Sequence, residues 1–99
     1  MSSALFQPIK VGRLSLSHRI VLAPLTRLRA DADHVLGDIG VQYYSQRAST
    51  PGTLLITEST IIAPKAGGLP NMPSIYTDAQ IQAWKKVMSD LLWFAFASY

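Results

Sequence analysis

Two places in the 99-residue chain set a chemically useful side chain just past an apolar run. In HRIVLAPLTRLR, residues 18–29, the run from Ile20 to Ala23 stops at Pro24-Leu25-Thr26. A threonine there can offer its hydroxyl to a ligand, while proline fixes the backbone that presents it. In TLLITEST, residues 53–60, a second apolar run ends in Glu58-Ser59. Glu58 is the one carboxylate with a suggestive position, although an acid hydrogen-bonded or paired with an arginine would account for it equally well. A strand that ends in Pro-Leu-Thr also occurs in many unrelated proteins. Position alone leaves APLT open as either a strand end or the rim of a site.

Other chemistries find less support. GRLSLSHR and AGGLPN match neither a dinucleotide-binding glycine pattern nor a phosphate-binding P-loop. His18 and His34 stand apart without carboxylates at ligand spacing, so no metal site is expected. His18 reads as a strand-entry residue and His34 as a solvated loop residue. No G-x-S-x-G elbow supports a nucleophilic serine. The chain has no cysteine, which excludes disulfides and thiol catalysis and fits a reducing, cytoplasmic setting.

The elements that would position these residues follow from hydrophobic pattern. Val11, Leu14 and Leu16 around Gly12 predict a short N-terminal hairpin. The continuous run Ile20–Ala23 predicts a strand covered on both faces, as in a parallel sheet, ended by Pro24. Asp38 is expected to cap a helix, IGVQYYSQRA, whose Val41, Tyr44 and Ala48 share one face. Ser49 to Gly52 stop it, and residues 53–57 form a second buried strand. A loop from Ser59 to Tyr76 carries three prolines and Gly67-Gly68. Thr77 and Gln80 then make a capping-box signature, opening a helix with Ile81, Trp84, Met88 and Leu91 or Leu92 on one face. From Ile20 to about Leu54 the order is that of a βαβ unit. The fold class is therefore α/β with parallel strands, and chemistry in such folds sits at the carboxyl ends of the strands.

Composition narrows the function classes. Hydrophobic residues make up 48% and charged residues 15%, a balance for a well-covered interior rather than disorder. The net charge of +3 comes from scattered basic residues, so nucleic acid is not an expected partner. The first ten residues lack the pattern of a secretory signal, and no apolar stretch reaches the roughly 18 residues of a spanning helix, so no membrane association is expected.

The segments LFQPIKVGRLSLSHRIVLAPLTRLRA, QYYSQRAS, TLLITEST and AGGLPNMPSIYTDAQIQAWKKV, in this order and with these gaps, resemble the N-terminal portion of the old yellow enzyme family. The resemblance runs from about Leu5 to Val87. It implies a (β/α)8 TIM barrel of which residues 1–87 supply the hairpin and first two βα units, followed by a divergent hydrophobic tail, 88–99. It implies FMN as cofactor, NAD(P)H as reductant and small α,β-unsaturated carbonyl compounds as substrates. Pro24, Leu25 and Thr26 would lie against the flavin, the Thr26 hydroxyl meeting a ring carbonyl and favouring the reduced ring. Ser59 stands where the family usually has Gly or Ala, packed near the pyrimidine side. The substrate-polarising pair, the proton-donating tyrosine and the phosphate-binding loops all fall downstream of this sequence, so no catalytic residue is expected within it. Two function classes follow: a segment of an FMN-dependent ene-reductase that does not turn over alone, or a non-catalytic truncated product or interaction fragment.

Overall fold

A computed structural model describes residues 3–94. A single 3-10 turn, Ala4–Phe6, leads into the antiparallel hairpin of β1 (Ile9–Val11) and β2 (Leu14–Leu16), paired Ile9 to Leu16 and Val11 to Leu14. Gly12 takes φ +59° at the first position of the two-residue loop, a conformation that favours glycine and matches the twist of a tight hairpin. The hairpin docks through Ser17 N–H, which donates to the Gly52 carbonyl at 3.1 Å.

The second sheet pairs β3 (Val21–Leu22) with β4 (Leu54–Leu55) in parallel, Val21 opposite Leu54 and Leu22 opposite Leu55. Helix α1 (Asp38–Arg47) connects them, as the βαβ order predicts. Helix α2 (Asp78–Phe94) follows a connection that includes a 3-10 turn, Pro64–Ala66. The core is the seam between the helices: Leu36, Val41, Tyr44, Trp84 and Val87 are buried, with Leu22, Leu55 and Leu91 packed against them.

The capping box forms as predicted. Gln80 N–H donates to Thr77 Oγ1 at 3.2 Å and Thr77 N–H donates back to Gln80 Oε1 at 3.0 Å. Gln80 is itself buried, and its Nε2 donates to the Asp33 carbonyl at 3.0 Å, tying α2 to the segment before α1.

Several expectations are corrected. Asp38 does not cap α1 through its side chain; Gly37 is the cap residue, and Asp38 accepts a 2.7 Å ion pair from Lys86 Nζ on α2 instead. The run Ile20–Ala23 is not covered on both faces: Ile20 is 48% and Val21 38% exposed, because the helices pack on one side of a two-stranded sheet. On α2 the buried face centres on Gln80, Trp84 and Val87, with Ile81 and Met88 flanking it. His34 is half-buried rather than solvated: its Nδ1 donates to the Met72 carbonyl at 2.7 Å, and its own carbonyl accepts from Ser74 N–H at 3.0 Å. The Ser59–Tyr76 loop is pinned by the parallel bridge of Ile61 to Ser74. Helix α2 carries the backbone of the tail to Phe94, while residues 95–99, Phe96 among them, lie outside the described residues.

Candidate functional site

The parallel pairing of β3 with β4 sets the two candidate segments beside each other. Thr26 is the fourth residue after Leu22, and Ser59 the fourth after its partner Leu55. Beyond the strands, among the described residues, one hydrogen bond joins the segments, the Arg27 N–H donating to Glu58 Oε1 at 3.4 Å. Pro24, Leu25, Thr26 and Ser59 are all exposed, Leu25 by 47%. Neither the Thr26 nor the Ser59 hydroxyl has a protein partner among the described residues, so both are free to meet a ligand. The hairpin docks at Gly52, just before β4, so the exposed hydroxyls lie at the opposite, carboxyl end of the strands.

Glu58 is 4% exposed, and the reason is Tyr44. The Tyr44 hydroxyl donates to Glu58 Oε2 at 2.9 Å and accepts from the Glu58 N–H at 3.0 Å. Of the two readings open for Glu58, the structure selects a hydrogen-bonded acid, held by a tyrosine and a main-chain amide. Burial pushes the Tyr44 hydroxyl pKa up, and the Glu58 carboxylate beside it pushes the same way, so the hydroxyl stays a donor. Edge-on contact with Tyr43 at 5.0 Å between centroids and packing on Trp84 at 5.9 Å fix the Tyr44 ring.

Beside this pair a cleft of about 260 Å3 is lined by Arg27, Arg29, Leu36, Ile39, Tyr43 and Glu58. Arg27 turns its Nε back to the Thr26 carbonyl at 3.2 Å, and Arg47 stacks over the Tyr43 ring at 3.9 Å. Among the described residues no group of three His, Cys, Asp or Glu side chains gathers at metal-binding distance. His18 keeps its place at the entry to β3: its Nδ1 accepts from the Ile20 N–H at 3.1 Å, which leaves Nε2 to donate to Thr53 Oγ1 at 2.9 Å. Sequence reasoning had no sign of the Tyr44–Glu58 pair, since a tyrosine on an apolar helix face reads as packing.

Comparison with known proteins places this arrangement. The profile of the NADH:flavin oxidoreductase / NADH oxidase family matches residues 4–91. The chanoclavine-I aldehyde reductase of Penicillium roqueforti is 59% identical over 83 residues, which cover 84% of this chain and 22% of that protein. A Claviceps fusiformis protein named a probable inactive dehydrogenase is 51% identical over 90 residues, covering 91% of this chain and 24% of that protein. The crystal structure of an Old Yellow Enzyme from a Pichia species superposes with a TM-score of 0.88 at 47% identity, covering 93% of this chain and 24% of that one. The chain thus spans about a quarter of the length of the relatives it matches, and its strands and helices are a part of their TIM barrel with no closed sheet of its own. Profile, identity and fold agree: the chain belongs to the NADH:flavin oxidoreductase / NADH oxidase family, the family of Old Yellow Enzyme, and corresponds to its N-terminal part.

Proposed function

We propose that this chain supplies one edge of the flavin site of an FMN-dependent oxidoreductase that takes hydride from NAD(P)H and reduces activated C=C bonds of enones. The observation that carries the proposal is that the segments bearing Thr26 and Ser59 leave the carboxyl ends of two paired parallel strands and are tied by the Arg27–Glu58 hydrogen bond, with both hydroxyls unpartnered among the described residues.

The residues suit the group. Leu25 offers exposed apolar surface to a flat ring, and Pro24 carries no N–H that would need a partner there. The Thr26 hydroxyl can donate to a ring carbonyl, and Ser59, where a smaller residue is usual, adds a second hydroxyl. Bound FMN supplies the chemistry, accepting hydride and passing it on. What the protein contributes here is orientation and one hydrogen bond that strengthens as the ring gains electrons. Residues 1–87 act in this reading as the barrel portion and 88–99 as a divergent tail, in a cytoplasmic protein without disulfides.

The test replaces the matched segment of the Pichia Old Yellow Enzyme with residues 1–87. Retained FMN, NADPH oxidation with an enone and a lowered flavin potential in Thr26→Ala support the proposal. A folded chimera that does not hold FMN, or is indifferent to Thr26→Ala, overturns it. The 99-residue chain alone is expected to show no NADPH-driven reduction when titrated with FMN.

A second, non-catalytic reading has one observation in its favour. Ile20, Val21 and Ile56 leave apolar surface uncovered on and beside β3 and β4, and such surface recruits partners. Concentration-dependent self-association by light scattering, without flavin binding in any context, would favour it.

A further inference from the structure

The seven residues from Ala23 to Arg29 carry Thr26 across the end of the sheet without belonging to a strand or helix. Leu22 is the last residue of β3, its carbonyl accepting from the Ile56 N–H at 3.1 Å. The next main-chain bond to a distant segment is Ala30 N–H to the Asn71 carbonyl at 3.0 Å. Between residues 23 and 28, one hydrogen bond among the described residues ties the main chain to another segment. It runs from the Arg27 N–H to Glu58 Oε1 at 3.4 Å.

Glu58 can serve as that anchor because it is itself immobilised. It is 4% exposed, its Oε2 accepts from the Tyr44 hydroxyl at 2.9 Å, and its own N–H donates to the Tyr44 hydroxyl oxygen at 3.0 Å. Tyr44 is 1% exposed and wedged between Tyr43 and Trp84, so the anchor reaches into the helical core. Arg27 directly follows Thr26, and Glu58 directly precedes Ser59. One hydroxyl and one carboxylate therefore fix the neighbours of both candidate flavin-facing residues.

We propose that Glu58 is a positioning residue: held by Tyr44, its carboxylate clamps the Arg27 amide and so sets where Thr26 presents its hydroxyl. The clamp is a property of this chain, and its role toward flavin rests on the function proposed above. In this role Glu58 needs no contact with a reacting atom. It acts by removing freedom from an otherwise untied segment, which lowers the entropy lost when a ligand is engaged.

Amide hydrogen exchange on the 15N-labelled 99-residue chain tests the clamp without flavin. The Arg27 amide is expected to exchange at least about tenfold more slowly than that of Leu28, the factor that one hydrogen bond to a charged group supplies. Tyr44→Phe and Glu58→Ala should abolish that protection and shift the Thr26 methyl resonance, while the α2 amides stay protected, lowered only by the loss of global stability. Glu58→Gln, which retains an acceptor oxygen, should restore part of it. Equal exchange at Arg27 and Leu28 in the wild-type chain overturns the clamp, whatever the variants do. So does a folded Tyr44→Phe or Glu58→Ala chain with Arg27 and Thr26 unchanged. In the flavin-loaded chimera, Glu58→Ala should move the potential in the direction of Thr26→Ala, and Glu58→Gln should move it less. If Thr26→Ala has no effect there, the flavin assignment fails; if it has an effect and Glu58→Ala has none, positioning fails.

Discussion

Tyr44 and Glu58 share two hydrogen bonds through a single oxygen, which donates to the carboxylate at 2.9 Å and accepts from the main-chain amide at 3.0 Å. Tyr44→Phe keeps the ring and its packing on Trp84 but leaves a buried acceptor and a buried donor unpaired. The expected cost is about 1–3 kcal/mol, read as a lower urea midpoint with unchanged slope. A midpoint within error of wild type would mean that water reaches Glu58 in place of the hydroxyl.

Two glycines at positive φ should respond unequally to alanine. At Gly12, φ +59°, an added Cβ meets open space, and the cost is that of the left-handed backbone alone, about 1–2 kcal/mol. At Gly52, φ +78°, the same Cβ would run into the Ser17 side chain and come within 2.9 Å of its main-chain nitrogen. That nitrogen is the donor that docks the hairpin on the Gly52 carbonyl, so the backbone itself has to shift. Gly52→Ala is therefore expected to cost clearly more than Gly12→Ala in thermal melts and to loosen the hairpin. Equal losses would show that the hairpin is not held there.

How far these features could be read from sequence follows from the range of the interactions. Thr77 and Gln80 are three residues apart, so their capping box is written in local spacing, as are the hairpin around Gly12 and the buried Val41, Tyr44 and Ala48. Asp38 shows where local reasoning fails: the side chain suits a cap, but Lys86, 48 residues later, captures it once α2 packs on α1. Tyr44 and Glu58 are fourteen residues apart across a turn and a strand, and no periodicity marks such a pair. Ile20 and Val21 carry the apolar pattern of a two-sided interior, which a two-stranded sheet cannot provide. For the site, position at a strand end singles out Thr26 but gives it no chemistry; that came from the ordered set of segments resembling a family.

Among the described residues the fully buried Ser74 hydroxyl has no hydrogen-bond partner, although its N–H and carbonyl are both engaged, by His34 and Trp84. Ser74→Ala removes an unsatisfied polar atom without disturbing the main-chain bonds. The substitution is expected to be neutral or to stabilise by up to about 1 kcal/mol, unlike most changes at a buried site. A measured loss of stability would show that the hydroxyl is satisfied in solution.

The Lys86–Asp38 pair joins the two helices at 2.7 Å in full contact with solvent. Its hydrogen bond and charge draw the Asp38 pKa below 3.8 and raise that of Lys86 above 10.5. The Asp38 share is thus present above 3.8 and lost as pH falls through the lowered folded value. The Lys86 share is present below 10.5 and lost as pH rises through the raised one. Tyr44, its pKa raised by burial, adds to the alkaline loss, because above 10.0 the unfolded hydroxyl ionises first. Stability should therefore change little through this pair between those limits. Lys86→Met should flatten the salt dependence with a barely altered melting temperature, as exposed pairs do.

Thr26→Ala separates a flavin contact from a mere strand end. The residue is exposed, and its hydroxyl has no protein partner among the described residues, so deleting it disturbs no internal bond. Melting of the 99-residue chain should be unchanged within about 0.5 kcal/mol. In the flavin-loaded chimera the same change removes a donor to a ring that becomes more electron-rich on reduction, so the reduced form loses more than the oxidised form. The midpoint potential should fall by on the order of 30 mV, the two-electron equivalent of one hydrogen bond of about 1.4 kcal/mol. Thr26→Ser, which keeps the hydroxyl, should hold the wild-type potential, and the contrast between serine and alanine assigns the effect to the donor rather than to the lost methyl group. If alanine lowers the potential no more than serine does, Thr26 ends a strand and nothing more.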